Sequence, residues 1–230
     1  MLKIKLATIK AVTVCVNYSD YLEMTIANNK KVLDDWVIVT SPNDSKTINL
    51  CKRRNVRCII TRRLHENGDV FNKGKALNDG LAAIKNYDWL LSMDADIILP
   101  NNFRNIKKYL FDKNYLYGVP RYTGNLNTIS AYLRGKEKFS ALTLMPPLEE
   151  IKQWIFGYFQ LFHKSRVRQP IYPEDYYHEI YGHGYRNSAA FYDLMFAQQF
   201  KKQMYLDKIK VIHLPHKYAE NWEGRKEFKC

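Results

Sequence analysis

Acidic residues are in short supply: 23 Asp and Glu face 36 Lys and Arg, a formal net charge of +13. Such a balance excludes an acidic, solvating role and favours anionic partners, whether nucleic acid, a membrane surface or a phosphorylated substrate. Cysteine is scarce as well. Cys15, Cys51, Cys58 and Cys230 show neither metal-type nor redox spacing, which excludes a disulfide scaffold and predicts reduced, mostly buried thiols. No apolar run reaches the roughly 18 residues of a transmembrane helix, and there is no signal-peptide core. The expectation is a cytoplasmic protein (host cytoplasm for a virus-borne gene) without stable membrane insertion. Repeats and low-complexity tracts are missing. So are a Gly-x-Gly-x-x-Gly turn after the first strand and a Walker A loop, and dinucleotide oxidoreductases and P-loop enzymes lose weight accordingly.

What is present is enough apolar residue, 46% of the chain, for one α/β domain of ordinary size. Residues 11–16, Ala-Val-Thr-Val-Cys-Val, read as a buried strand and run into Asn17-Tyr18-Ser19-Asp20, where Ser19 or Asp20 caps a helix through about Leu33. Residues 36–40 form a second strand, stopped by Ser41-Pro42-Asn43-Asp44, and a second helix reaches about Arg54 before a third strand at 56–61. This alternation is the pattern of right-handed crossovers and a mostly parallel sheet flanked by helices. Ligands bind such sheets at the carboxyl ends of the strands. Tyr18, Asp44, Arg62 and the acids after residue 93 therefore converge on one rim.

The acids are Asp94 and Asp96, at the end of the apolar run Trp89–Met93. Strand alternation puts positions i and i+2 on one face, so two carboxylates meet at an apolar mouth. A lone Asp-x-Asp is also an ordinary solvated strand end, but a divalent cation, Mg²⁺ or Mn²⁺, resolves the repulsion and is commonly shared with substrate phosphates. Ala76, Leu77, Leu81 and Ile84 have helical spacing, and the helix they imply begins at Lys73, Gly74 and Lys75, a fair anion site.

In this order the elements resemble family-2-like GT-A glycosyltransferases: a first strand and polar turn, a second strand followed by Asp44, the helix start Asn72-Lys73-Gly74-Lys75-Ala76-Leu77-Asn78-Asp79-Gly80, and Met93-Asp94-Ala95-Asp96. The resemblance covers about the first 105 residues. It implies a GT-A-like, Rossmann-like α/β fold: a single domain over 1–230, with a nucleotide-sugar half at 1–105 and an acceptor half at 106–230. It further implies that Asn17, Tyr18, Asp44, Arg62, Lys73, Asn78 and Asp94 contact the donor, with Asp44 at the base or ribose, and that Asp96, with Asp94, holds Mn²⁺ or Mg²⁺ on the diphosphate. A UDP-sugar is the favoured donor and inversion the expected outcome. Where the family often has a basic residue before the Asn, Leu77 stands here.

In the second half, residues 116–122 read as one strand, 123–138 as an irregular loop, 153–162 as an alternating aromatic strand, and 188–203 as an amphipathic helix. A sugar hydroxyl is a poor nucleophile and needs a positioned carboxylate to take its proton. By resemblance that base is Asp193, although Phe191-Tyr192-Asp193 replaces the usual Glu-Asp pair, and Glu179 and Asp175 stay in contention. Residues 210–216 read as a short strand with a His at its end, Val211 and His213 sharing a face and His216 following the break at Pro215. Either is a third metal ligand, His213 being slightly preferred. The acceptor is a saccharide or, given the charge and Arg121-Tyr122, Tyr132-Leu133-Arg134 and 166–172, a hydroxylated base flipped out of DNA, as in virus-type DNA modification. The competing classes are a non-catalytic nucleic-acid-binding module and a nucleotidyltransferase. The latter lacks its phosphate loop after the first strand.

Overall fold

The computed structural model describes residues 7–145, 154–155, 157–166, 170–174, 177–180, 183–186 and 192–216, the strands at 177–180 and 183–186 by backbone alone. The first half alternates β1 (Ile9–Val14), α1 (Ser19–Val32), β2 (Asp35–Thr40), α2 (Ser45–Arg54), β3 (Arg57–Ile60), α3 (Lys73–Ala82) and β4 (Trp89–Met93). The second half holds β5 (Ile97–Ile98), β6 (Tyr115–Gly118), β7 (Arg121–Thr123), α4 (Leu126–Leu133), β8 (Thr143–Met145), β9 (Phe159–His163), β10 (Tyr177–Ile180), β11 (His183–Arg186), α5 (Tyr192–Ala197), β12 (Lys202–Tyr205) and β13 (Val211–His213).

The main sheet has the order β12-β6-β9-β4-β1-β2-β3. β1 is parallel to β2 and β4, and β2 to β3. β9 runs antiparallel between β4 and β6, so β6 points the same way as β4 and ends on the same rim. β4 is buried along its whole length, as a strand covered on both faces must be. One face packs Trp36, Trp89, Tyr117 and Phe159 with α1 and α2, and the other packs Val12, Leu77, Leu90 and Phe162 with α3 and α5. α3 approaches closely because Gly80 meets the methyls of Val12 and Val39, where a Cβ would fall about 2.5 Å from them. A smaller sheet, β5-β13-β7-β8, carries α4 over Ile98, Ile129, Leu142 and Ile212.

Several expectations need correction. The N-cap position of α1 falls on Tyr18, so neither Ser19 nor Asp20 caps it. Residues 116–122 are not one strand: Pro120 has no N–H to continue a ladder, and β6 and β7 lie in different sheets. The stretch 123–138 contains α4, capped by Asn125, whose Oδ1 accepts the Thr128 N–H at 2.9 Å. The aromatic strand begins at Phe159, residues 151–153 and 156 lying outside the described residues. The helix expected over 188–203 ends at Ala197, because Lys202 to Tyr205 pair with β6 as an edge strand; its proposed start lies outside the described residues.

Candidate active site and metal centre

Asp94, Ala95 and Asp96 do not continue β4. They form a turn into β5, closed by the Ile97 N–H on the Asp94 carbonyl at 3.4 Å, so strand alternation does not align the two carboxylates and each has its own task. Asp94 Oδ1 takes the Lys73 ammonium at 2.6 Å. Lys73, the first residue of α3, also lies 4.8 Å above the Tyr192 ring. Burial works against its charge, yet Asp94, Asp193 and Asp96 outweigh burial and raise its pKa. Lys73 is therefore held as a cation. Lys75 is not part of an anion site: it is buried in an ion pair with Asp69 at 2.8 Å.

Asp96 is the centre of a second cluster. It is only 7% exposed. Its Oδ2 lies 2.8 Å from His216 Nε2 and 3.7 Å from His213 Nε2, and one ligand atom from each residue falls within 4.8 Å of the others. Strand pairing fixes His213 opposite Ile97, and the Leu214 N–H bonds the Asp96 carbonyl at 2.9 Å. Pro215 then turns the chain so that His216 reaches the same carboxylate. Tyr21 holds this turn through its hydroxyl on the Pro215 carbonyl at 3.2 Å, with its ring 5.7 Å from His216. The expected choice between the two histidines dissolves, because both converge.

The electrostatics suit a cation. Burial disfavours ionised Asp96, but His213, His216 and Lys73 together hold its carboxyl below the usual range. Burial lowers His213 more than Asp96 raises it, which favours the neutral imidazole that ligates metal. Asp96 Oδ1 is buried with no hydrogen-bond partner among the described residues, and leaving a buried acceptor unpaired costs about 1–3 kcal/mol. One carboxylate and two imidazoles suit a first-row ion such as Mn²⁺ better than Mg²⁺, which prefers an all-oxygen shell. Asp94, paired with Lys73, stands outside this ligand group.

Asp193, the second residue of α5, is half-buried beside Lys73. Its Oδ2 accepts the Gly157 N–H and its Oδ1 the Leu194 N–H, while Gln160 Nε2 holds its backbone carbonyl at 2.9 Å. A Cβ on Gly157 would lie 2.7 Å from Asp193 Cβ and Oδ2, so only glycine admits the carboxylate there. Burial, aided by Asp94, pushes the Asp193 pKa up, against the Gly157 N–H and Lys73. The side chain of Glu179 and all of Asp175 lie outside the described residues; the backbone of Glu179 pairs with Gly184.

The remaining donor residues divide. Asp44 is 3% exposed and caps α2: Oδ1 accepts the Thr47 N–H, and Oδ2 accepts the Asn17 N–H at 2.7 Å and the Thr40 hydroxyl at 3.2 Å. It bolts together the exits of β1 and β2. Asn17 adopts the left-handed conformation this turn needs (φ 59°), and Tyr18 packs 5.7 Å from Tyr21, one ring away from His216. Arg62 is exposed. Its neighbour Arg63 makes the ion pairs, to Asp79 at 2.8 Å and Glu174 at 2.7 Å. Asn78 is committed to the protein rather than to a donor. Its Oδ1 accepts the N–H groups of Ile171 and Tyr172, and its Nδ2 donates to the Tyr172 carbonyl and Glu174 Oε1. Gly157, Gln160, Arg63 and Glu174 carry no periodic signal and are visible only in three dimensions.

No protein-family model and no curated protein matches the chain. Among solved structures it is similar to a mannosyltransferase from Pyrobaculum calidifontis in complex with GDP-mannose and Mn²⁺, with 14% identity, 94% of this chain and 59% of that one covered, and a TM-score of 0.57. It is similar also to GalNAc-T7 with UDP, GalNAc and Mn²⁺ (15% identity, 96% and 45% covered, TM-score 0.56) and to a mycobacterial protein (17%, 93% and 69%, TM-score 0.51). The chain spans about three fifths of the mannosyltransferase's length and under half of GalNAc-T7's. Its fold is that of the GT-A glycosyltransferases.

Proposed function

We propose that this chain is a metal-dependent glycosyltransferase that moves a sugar from a nucleoside diphosphate sugar to an acceptor hydroxyl. The observation that carries the reading is the group formed by Asp96, His213 and His216, with a carboxylate oxygen that has no hydrogen-bond partner among the described residues, on the strand-end rim of a GT-A fold. These three residues would hold Mn²⁺, which when bound supplies positive charge to the diphosphate.

The chain's own groups account for the rest. Asp193 accepts the proton of the acceptor hydroxyl as that oxygen bonds the anomeric carbon. The bond from that carbon to the diphosphate oxygen breaks, and its electron pair departs with the nucleotide. The upward shift of Asp193 by burial matches a base better than an unperturbed carboxylate would. A single displacement of this kind inverts the anomeric centre. Lys73 keeps Asp94 compensated and adds a cation beside the leaving group. Asn17, Tyr18 and Arg62, at the exits of β1 and β3, line the nucleotide, for which UDP is the preferred candidate. The acceptor is a saccharide; the net charge of +13 supports a hydroxylated DNA base as the second acceptor class.

The test is a thermal-shift series with UDP, GDP, dTDP and CDP, each with and without Mn²⁺, on wild type and Asp96→Asn. A Mn²⁺-dependent rise for one nucleotide, absent in the variant, supports the reading and names the donor class. No rise with any nucleotide overturns it. Transfer from the matching labelled nucleotide sugar to oligosaccharides, or to duplex DNA with hydroxymethylated bases, then separates the acceptors.

A further inference from the structure

Arg121 opens β7, three residues past the carboxyl end of β6. Since β6 points the same way as β4, that end lies on the rim that carries Asp94 and Asp96. The pairing of β7 with β13 is parallel and sets Arg121 beside Val211. Paired residues share a face, and so do Val211 and His213 by alternation, so Arg121 projects on the side of His213. Its charge is near enough to oppose protonation of that imidazole.

Among the described residues the guanidinium lies over an aromatic ring rather than beside an acid. Its central carbon lies 4.7 Å from the centroid of Tyr158, a geometry that guanidinium favours. Tyr158 is itself fixed: its hydroxyl donates to the Val119 carbonyl at 2.6 Å, and its own carbonyl accepts the Asp94 N–H at 3.3 Å. Other buried or half-buried cations are matched with acids: Lys73 with Asp94, Lys75 with Asp69, and Arg63 with Asp79 and Glu174. Arg121 is not. Among the described residues no carboxylate lies in ion-pair range of it, although it is half-buried. A guanidinium set over a ring, with no carboxylate partner among the described residues, can offer its donor fork to two oxygens of one tetrahedral anion.

We infer that Arg121 is a phosphate-binding residue, its fork directed at a phosphate group held between the Asp94 turn and His213. The inference rests on the proposed function only in taking this rim as the ligand site. The phosphate belongs either to the donor diphosphate or to a phosphorylated acceptor.

Calorimetric titrations at constant ionic strength decide between them. The probes are inorganic pyrophosphate and inorganic phosphate without metal, then UDP and uridine with Mn²⁺, then inorganic phosphate on protein saturated with UDP and Mn²⁺. The proteins are wild type, Arg121→Gln, Arg121→Lys and Asp96→Asn. Arg121→Gln is expected to weaken at least one phosphate probe by about tenfold or more and to leave uridine unchanged. Arg121→Lys, which keeps the charge without the fork, falls between, and it serves as the folded control if the Gln variant is destabilised. Loss for pyrophosphate and UDP assigns Arg121 to the donor. Loss confined to inorganic phosphate on the UDP-loaded protein assigns it to the acceptor. Unchanged affinity for every phosphate probe, or no phosphate binding by wild type, overturns the inference. The metal-free probes report on Arg121 even if Mn²⁺-dependent UDP binding fails, and loss of that binding in Asp96→Asn alone reports on the proposed function.

Discussion

His216 Nε2 lies 2.8 Å from Asp96 Oδ2, a hydrogen bond across 120 positions of chain. Because Asp96 is held below the usual carboxylate range, its oxygen accepts and the imidazole nitrogen donates. A cation that takes Nε2 must displace that proton, to solvent or to Nδ1 of the same ring, so metal binding is coupled to a proton shift. Asp96→Asn is expected to abolish Mn²⁺ binding in calorimetry, and His213→Ala and His216→Ala each to weaken it by about tenfold or more. Equal binding by the His216 variant and wild type would remove it from the ligand set.

The same group sets an acid limit. His213 titrates below its ordinary value in the folded chain, so the unfolded chain binds the extra proton across the interval below that value, and stability rises with pH through it. Asp96, also lowered, contributes stability that is present above the ordinary aspartate range and is lost as pH falls through its folded value. Both effects act in one direction. Thermal midpoints of the metal-free protein should fall on acidification below the ordinary histidine range, and His213→Gln should flatten the upper part of that decline.

Asp193 predicts the opposite shift with a different readout. Its pKa is raised, and Lys73 opposes the rise. Transfer needs the carboxylate, so kcat/KM should climb with pH through the raised value. Lys73→Met removes the opposing charge and should move that acid limb to higher pH, whatever it does to the maximal rate. A limb that stays in place would detach Asp193 from the base role.

Gly157→Ala is the steric counterpart. The added Cβ would meet Asp193 Cβ and Oδ2 at 2.7 Å, so Asp193 must swing away. Transfer should fall by about a hundredfold, as misplaced catalytic groups commonly cause, while the Mn²⁺-dependent thermal shift with nucleotide persists.

Asn78 and Arg62 separate structure from ligand. Asn78→Ala strips partners from the backbone of residues 171–172 and from Glu174, an expected loss of about 2–4 kcal/mol in urea unfolding. Arg62→Ala, on an exposed side chain, should change stability by no more than about 0.5 kcal/mol.

The first half was legible because β1, β2 and β4 are buried on both faces, and an uninterrupted apolar run records that directly. Asn78 shows the limit: its position in the motif was visible, but nothing local says that segment 171–174 returns to saturate its amide. The second half was harder for a physical reason. β5, β7, β8 and β13 are two or three residues long, too short for any period to register, and the chain changes sheets at Pro120. The Asp94–Asp96 spacing misled because a turn, not a strand, separates the two acids. His213 and His216 were singled out because they lie three apart after the Asp-x-Asp, and Pro215 between them is where the chain turns so that both rings reach one carboxylate.

The Asp96 cluster also bears on how the chain is tied together. β13 is a three-residue strand, held to the rest of the fold by short ladders with β5 and β7. A shared ion on Asp96, His213 and His216 would act as a removable cross-link that closes a long loop, whose ends are otherwise joined at an entropic cost. Loading the site would then do mechanical work as well as chemistry, fastening a late strand to the middle of the molecule, and a chelator would loosen that seam before any other.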